Sequence, residues 1–337
     1  MRENVTYYQE DNYAQLVRTI DLKNNFSNNE FVYVDKGAYD FLWRVQLIEP
    51  NIVLPNIGAN IGEKYYVRPQ NLPKDKNVLG PNAILLRSES NDTHFVYFRL
   101  STSSYDNEMK KLVGASGQPK FNKTDLKKVK VFMPTISEQK KISRFLALID
   151  ERIATQNKII DKLQSLIKGI ADKLFQTART TKPLLEFAPN ITSGTDKSGS
   201  GTIPLYGSTG IIGTVKNASQ KGNIVLVARV GTIGTVQYVN EPCGVSDNAL
   251  IVEAGEMTKY IYHFLKTYNF TRITSGTTQP LITASSLKKA AIPTYDIESQ
   301  TRIVLCLNGL EKKLDMAKQY LSDIAVMKQY LLRQMFI

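Results

Sequence analysis

A chain of 337 residues with 42% apolar and 22% charged side chains has room for about two packed domains and does not have the composition of a disordered polyelectrolyte. Its net charge of +12 favours a polyanionic partner, most simply nucleic acid, although an anionic membrane surface or an acidic protein would also fit. Two cysteines exclude a disulfide framework, and without a secretory pattern at Met1-Arg2-Glu3-Asn4 or an apolar run of ~20 residues the expectation is a cytoplasmic protein with no membrane partner.

Recognisable text begins at Tyr13 to Ile20. Asn51 to Leu54, closed by Pro55, predicts a short buried strand, and Phe95 to Leu100 predicts a short helix. Lys110 and Lys111 then precede the loop Ser116-Gly117-Gln118-Pro119-Lys120. From Ser137 the character changes: glycine is absent until Gly169 and proline until Pro183. Ile142, Leu146, Ile149, Ile153, Ile160, Leu163, Ile167, Ile170 and Leu174 advance by alternating steps of four and three, with polar Gln156 holding one place in the stripe. Such spacing keeps one apolar edge facing a partner helix, which is the pattern of a coiled-coil seam. Pro134 before the run, and Ser137 followed by Glu138, mark its start.

Thr177 to Pro183 reads as a polar connector and Gly194 to Gly201 as a flexible surface loop. Ile203 to Gly207, through Gly210 to Gly213, predicts a strand and glycine turn feeding a hairpin. Asn223 to Ala228 predicts a second buried strand, bounded by the Gly231 turn. Thr258 to Tyr268 predicts a helix with Tyr260, Ile261, Phe264 and Leu265 on one face. Arg272 precedes Ser275-Gly276-Thr277-Thr278-Gln279, and a second heptad stripe follows at Ile303, Leu307, Leu310, Leu314, Ala317, Leu321, Ile324, Leu331 and Met335, interrupted by Lys328.

The second half repeats the first. Asn51-Ile52-Val53-Leu54 through Ile61-Gly62 to Tyr66-Val67 aligns without a gap on Asn223-Ile224-Val225-Leu226 through Ile233-Gly234 to Tyr238-Val239, with eight of seventeen positions identical. Asn82-Ala83 returns as Asn248-Ala249, and Gln118-Pro119 and Leu126-Lys127-Lys128 return as Gln279-Pro280 and Leu287-Lys288-Lys289. Offsets that shrink from 172 to 166 to 161 are those of a duplicated domain edited in its loops, not of a short-period solenoid. The fold class expected is therefore α+β: two similar mixed α/β modules separated by two long antiparallel helices that form an intramolecular coiled coil, with pseudo-two-fold symmetry. The partition expected is a first module over 1–136, a first helix over 137–178, a second module over 179–296 and a second helix over 297–337. A helix of about 38 residues rises ~57 Å at ~1.5 Å per residue, too long to bury its stripe against its own module alone. The other seam is the economical partner, and Gln156 is either a register pin or a tolerated polar residue.

Catalytic patterns are missing. No Gly-x-x-x-x-Gly-Lys-Ser/Thr loop occurs, Gly199-x-Gly201 lacks the rest of a dinucleotide fingerprint, and His94 and His263 lie in separate modules, so no His/Cys cluster can hold zinc. No Asp/Asn-Pro-Pro-aromatic run, the mark of amino-methyltransferase active sites, is present. The loops suit DNA instead. Lys64, Lys110, Lys111, Lys120, Lys216, Lys221, Arg229 and Arg272 offer phosphate-binding cations, and Gln118, Thr277, Thr278 and Gln279 offer groups able to read base edges.

Taken together, the order of module, Pro134-Thr135-Ile136-Ser137-Glu138-Gln139, heptad helix, second module, the degenerate Pro293-Thr294-Tyr295-Asp296-Ile297-Glu298-Ser299-Gln300 and second helix resembles the specificity (S) subunits of Type I restriction–modification systems. Gly276-Thr277-Thr278 before Gln279-Pro280, and Ile203-Pro204-Leu205-Tyr206-Gly207 through Ile212-Gly213, carry the same likeness, which covers nearly the whole chain. The resemblance implies a non-catalytic reader with two target recognition domains, each binding half of a bipartite double-stranded DNA sequence, and helices that set the spacer. It implies two methyltransferase subunits using S-adenosylmethionine and motor/endonuclease subunits using ATP and Mg as partners, with no cofactor bound by this chain. One feature departs from the family. Pro183-Leu184-Leu185-Glu186-Phe187 and the Ser193-Gly194 turn open the second module, but no equivalent precedes Tyr13 to Ile20, so the first copy either starts late or opens in diverged text. Rival readings are a coiled-coil interaction scaffold without DNA specificity, and the recognition component of a Type II-like restriction–methylation enzyme.

Overall fold

The computed structural model describes residues 5–27, 30–58, 60–113, 120–276 and 280–336. The chain divides into two compact units, Met1–Thr155 with Leu321–Ile337, and Gln156–Tyr320. Both long helices pass from one unit into the other.

The first unit contains β1 (Ala14–Val17), α1 (Thr19–Lys23), β2 (Val32–Val34), α2 (Lys36–Phe41), β3 (Asn51–Pro55), β4 (Tyr65–Val67), β5 (Asn77–Leu79), β6 (Ala83–Leu86), α3 (Thr93–Leu100), α4 (Ser103–Leu112), α5 (Lys123–Leu126) and the start of α6 (Ile136–Gln176). One sheet has the order β2-β1-β5, antiparallel then parallel, and the other β4-β3-β6, antiparallel throughout. Every residue of β3 is buried because the strand is covered on both faces. Ile52 and Leu54 pack with Val96 and Leu100 of α3, while Val53 faces Val17 and Val67.

The second unit contains the rest of α6, then β7 (Thr180–Pro183), α7 (Leu184–Phe187), β8 (Thr192–Ser193), β9 (Ile203–Tyr206), β10 (Ile211–Val215), β11 (Ile224–Ala228), β12 (Val236–Val239), β13 (Gly244–Val245), β14 (Ala249–Val252), α8 (Thr258–Thr267), α9 (Ala284–Lys288), β15 (Ala291–Thr294) and most of α10 (Ile297–Met335). Its sheet β10-β9-β13 repeats the order and directions of β2-β1-β5, and β12-β11-β14 repeats β4-β3-β6. Two pieces are additional: β8 extends the β14 edge, and β7 pairs with β15. The duplication read from the sequence is therefore a duplication of topology. In place of the tight Gly207–Gly210 turn, the first unit connects its paired strands through α1.

The gapless alignment of the repeat needs one correction. Val225 and Val227 pack with Ile261 and Leu265 of α8, as Ile52 and Leu54 pack with Val96 and Leu100 of α3. Ile52 thus corresponds to Val225 and not to Ile224, which lies on the other face with Leu226 and Val239. Side chains alternate across a strand, so a one-residue slip exchanges the two faces. The apolar runs Ile52–Leu54 and Ile224–Val227 conceal that slip in sequence.

Two further expectations change. Thr177 to Pro183 is not merely a connector, because Thr180 to Pro183 is β7, in register with Thr294 to Ala291. Gly194 to Gly201 is pinned rather than flexible. Asp196 donates its backbone N–H to Val245 O and accepts from Val245 N and the Ser219 hydroxyl, and Gly199 N donates to Thr214 O. A side chain at Gly194 would lie 2.2 Å from the Val245 carbonyl oxygen, which explains the glycine.

The long helices are a seam in each unit. Leu146 and Ile149 of α6 share a core with Ile324 and Leu332 of α10 and with Phe336 just beyond it in the first unit, and Ala171 and Phe175 share one with Ile303 and Leu307 in the second. Early α6 therefore meets late α10 and late α6 meets early α10, so the pairing is antiparallel. Ile142, Ile153, Leu163, Ile167, Ile170, Leu174, Leu310, Leu314, Ala317, Leu321 and Leu331 are half-buried, Ile160 is buried, and the positions between seam places are mostly exposed. Both polar interruptions are satisfied. Gln156 Nε2 donates to Ala317 O at 2.9 Å, and Lys328 pairs with Asp150 beneath the Phe98 ring.

Helix starts explain the repeated Glu-Gln and Ser-Gln. Thr135 caps α6, its hydroxyl and backbone N–H both donating to Glu138 while Glu138 N donates back to the hydroxyl. Asp296 accepts from Ser299 N at 2.8 Å in the same role for α10. The following glutamines are buried and reach back, Gln139 Nε2 to Pro134 O and Gln300 Nε2 to Tyr295 O, each at 2.9 Å. The first helix thus begins at Ile136, one residue ahead of Ser137.

Candidate nucleic-acid interface

In the second unit three loop tips are tied to one end of the sheets. Ile282 N donates to Arg229 O at 3.1 Å, linking the turn after β11 to the segment that precedes α9. Gln237 Nε2 donates to Gly207 O and Ser208 O, holding the tip between β9 and β10. Gly234, at φ +79°, lies so close to Phe270 that a Cβ would come within 2.6 Å of the ring. Only glycine combines that backbone with that contact. Arg272 closes the 3-10 turn that begins at Phe270 and is exposed, and Lys216 and Lys221, on the β10-to-β11 connection, are exposed as well. Arg229 is half-buried and its buried Nε has no partner among the described residues. Thr277, Thr278 and Gln279 lie outside the described residues.

The first unit repeats this frame with different cations. Phe121 N donates to Asn56 O at 3.1 Å, the counterpart of the bond between Ile282 and Arg229, so an asparagine stands where the second unit has arginine. Lys110 and Lys111 form the exposed end of α4, and Lys111 carries a solvent-facing pair with Glu108 at 2.7 Å. Lys120 is exposed and bridges through its backbone to Ile57. Lys64 is different: only 11% exposed, its ammonium lies 2.5 Å from Asp106 and over the Tyr105 ring. That ion pair ties the residue just before β4 to α4 and leaves Lys64 little freedom to meet a phosphate. Gln118 lies outside the described residues.

The remaining titratable groups among the described residues do not assemble a reaction centre. Among the described residues no cluster of His, Cys, Asp and Glu could hold a metal ion. Cys243 is buried, and burial pushes its thiol up to about 11, so it is no nucleophile near neutrality. His94 is stacked between Tyr66 and Phe98, with ring centroids 4.1 and 4.6 Å away, and burial lowers its pKa. His263 is buried with Nε2 2.9 Å from Asn308 Oδ1 and its pKa is also lowered, chiefly by burial. The folded state thus holds His263 neutral, while the unfolded chain protonates near pH 6.5. The stability this contributes is complete above pH 6.5 and is lost as pH falls below it. Between pH 7 and 5 the His263→Gln protein should lose less of its urea midpoint than the parent; an equal loss in both would assign the acid sensitivity elsewhere.

Residues 46–165 and 181–325 match the Type I restriction modification DNA specificity domain. Over 150 residues the chain is 34% identical to the type I restriction enzyme MjaX specificity subunit of Methanocaldococcus jannaschii, covering 42% of this chain and 34% of that protein. Over 127 residues it is 28% identical to the MjaVIII specificity subunit of the same organism, covering 38% and 28%. The matched part spans about a third of the length of these curated relatives. In fold it is similar to the S subunit of a Type-I restriction-modification system from M. genitalium, with a TM-score of 0.63 at 20% identity over 87% of this chain and 84% of that one. A second similar structure comes from work on complex assembly and conformational transition of the type I R-M system, with a TM-score of 0.55 at 15% identity over 86% and 82% of the two chains. No helix among the described residues is long and apolar enough to cross a membrane.

Proposed function

Because the chain belongs to the Type I restriction modification DNA specificity family, we propose that it is a non-catalytic subunit reading a bipartite double-stranded DNA target, one half-site per unit. The observation that carries this reading is the repeated loop end: in each unit, turns fastened to a rigid sheet present exposed cations, Lys110, Lys111 and Lys120 in one and Arg272 in the other, while Lys216 and Lys221 are exposed at the opposite end of the second unit's sheets. Cations and backbone groups there fix the duplex in place, and polar side chains on the same loops discriminate bases. The seam helices set the spacing between the two readers. Their outward faces carry exposed apolar residues, Leu148 and Val326 in the first unit and Leu166 and Leu305 in the second, which suit the docking of two methyltransferase subunits and of motor/endonuclease subunits. Methyl donor, nucleotide and Mg belong to those partners, and this chain contributes only specificity and position.

Purified with its methyltransferase partner, the chain should direct adenine methylation to a single bipartite sequence, read by methylation-aware sequencing of host DNA with and without the gene. Methylation spread over unrelated sequences would refute the assignment. Affinity for the target should fall steeply with salt, and each of Lys111→Ala, Lys120→Ala and Arg272→Ala that removes a phosphate contact should lower the slope of log K against log salt by about one. Slopes unchanged in all three would place the DNA elsewhere.

A further inference from the structure

The turn that follows β3 in the first unit and β11 in the second is held by the same two backbone bonds. In the second unit Arg229 N donates to Asn248 O at 3.0 Å, and Ile282 N donates to Arg229 O at 3.1 Å. In the first, Asn56 N donates to Asn82 O and Phe121 N donates to Asn56 O, each at 3.1 Å. A glycine in the left-handed region follows two residues later in both, Gly231 at φ +72° and Gly58 at φ +91°. Positions 229 and 56 are therefore one place in the repeat, filled by arginine in one copy and by asparagine in the other. The asparagine is engaged within its own unit, its Nδ2 donating to Phe121 O at 3.1 Å. Other arginines withdrawn from solvent are engaged too. Arg18 and Arg87 each place Nε 3.0 Å from an acceptor, on Asp21 and Asn51, Arg99 donates to Phe336 O, and Arg68 lies over the Tyr66 ring. Arg229 differs: its Nε is buried with no partner among the described residues, and its guanidinium makes no ion pair with any of them. A buried donor without an acceptor is costly, and such groups are rare in folded proteins.

We propose that Arg229 is a specificity-determining residue whose guanidinium reads a guanine, through O6 and N7 in the major groove, in the half-site bound by the second unit. The assignment rests on the DNA-reading function above and names the group that reads. A guanidinium only donates, and guanine is the one base whose major-groove edge presents two acceptors side by side. Phosphate also offers paired acceptors, but placement separates the two targets. Arg272 and Lys120 are exposed and free to follow a phosphate, whereas Arg229 is fastened through its own N–H and carbonyl at the end of a strand, next to fully buried Ala228. Base reading needs a donor fork held to within ~0.5 Å, and a contact to the charged backbone of DNA does not. Because the first unit has asparagine at the equivalent place, this guanine belongs to one half-site only.

The test uses the full-length protein purified with its methyltransferase partner, as parent, Arg229→Ala and Arg229→Lys. Each complex methylates DNA libraries randomised at every base pair of the parent's target. The parent should reject the other three bases at one guanine by about 5- to 150-fold, the range of a good bidentate pair. Both variants should lose that discrimination while every other position of the motif is unchanged. Lysine keeps the charge and most of the stem, so Arg229→Lys decides the matter should a thermal melt show that Arg229→Ala does not fold. A motif identical in parent and variants would overturn the assignment and leave the DNA-reading function standing. So would a uniform loss of affinity that lysine restores, which is the behaviour of a phosphate contact. Methylation by the parent at unrelated sequences would instead refute the function, and the assignment with it.

Discussion

One heptad inserted between Thr155 and Gln156, with another between Tyr320 and Leu321, should lengthen the unspecified spacer of the DNA target by about three base pairs and leave both half-sites unchanged. These are the points at which each long helix passes from one unit to the other. Seven residues add ~10 Å of helix at ~1.5 Å per residue, and ~3.4 Å of duplex per base pair converts that to about three pairs. A heptad also preserves the seam, because it returns the apolar edge to within ~20° of its former direction. The bond from Gln156 to Ala317 survives, since both residues lie on the same side of the insertions. Three base pairs rotate B-DNA by roughly a third of a turn while the helices barely rotate, so affinity should drop even as the new spacer is preferred. Inserting a heptad in one helix alone should fail, because it separates Asp150 from Lys328 or Gln156 from Ala317. Methylation motifs with the original spacer in the doubly extended protein would show that the helices do not set the distance.

Leu146→Ala and Leu307→Ala should each destabilise by about 2–5 kcal/mol, the usual cost of emptying a buried leucine site. Leu146 is 0% and Leu307 1% exposed, and each lies in a core shared by a long helix and its own unit's α3 or α8. Against a total stability of about 5–15 kcal/mol, either change should move the urea midpoint far, and the double variant should leave little folded protein. Leu148→Ala and Leu305→Ala provide the contrast: at 53% and 66% exposure they should shift stability by less than about 0.5 kcal/mol. If those faces dock partner subunits, the same two variants should weaken assembly while leaving the melt untouched. Equal midpoints for Leu148→Ala and Leu146→Ala would mean that the buried edge has been misassigned.

The long helices, their seam and the duplication were legible because each depends on a period. Heptad spacing names the buried edge whatever surrounds it, and all the predicted seam positions from Ile142 to Leu331 are buried or half-buried. Candidate DNA contacts were legible only as residue types. Lys64 and Lys111 look alike in the text, but one is paired with Asp106 of α4 and mostly buried and the other faces solvent with Glu108, and only the tertiary fold separates them.

By itself, then, the sequence determined a repeated α+β module and two antiparallel-capable apolar stripes, since local periodicity and self-similarity are properties of the string. Tertiary structure alone decided the strand register. Ile52–Leu54 and Ile224–Val227 are apolar on both faces, so nothing in their order marks which side meets the helix; α3 and α8 make that choice by burying Ile52 and Val225. It also decided that β15 pairs with β7, because strand pairing joins residues far apart in the chain and leaves no periodic trace in either segment.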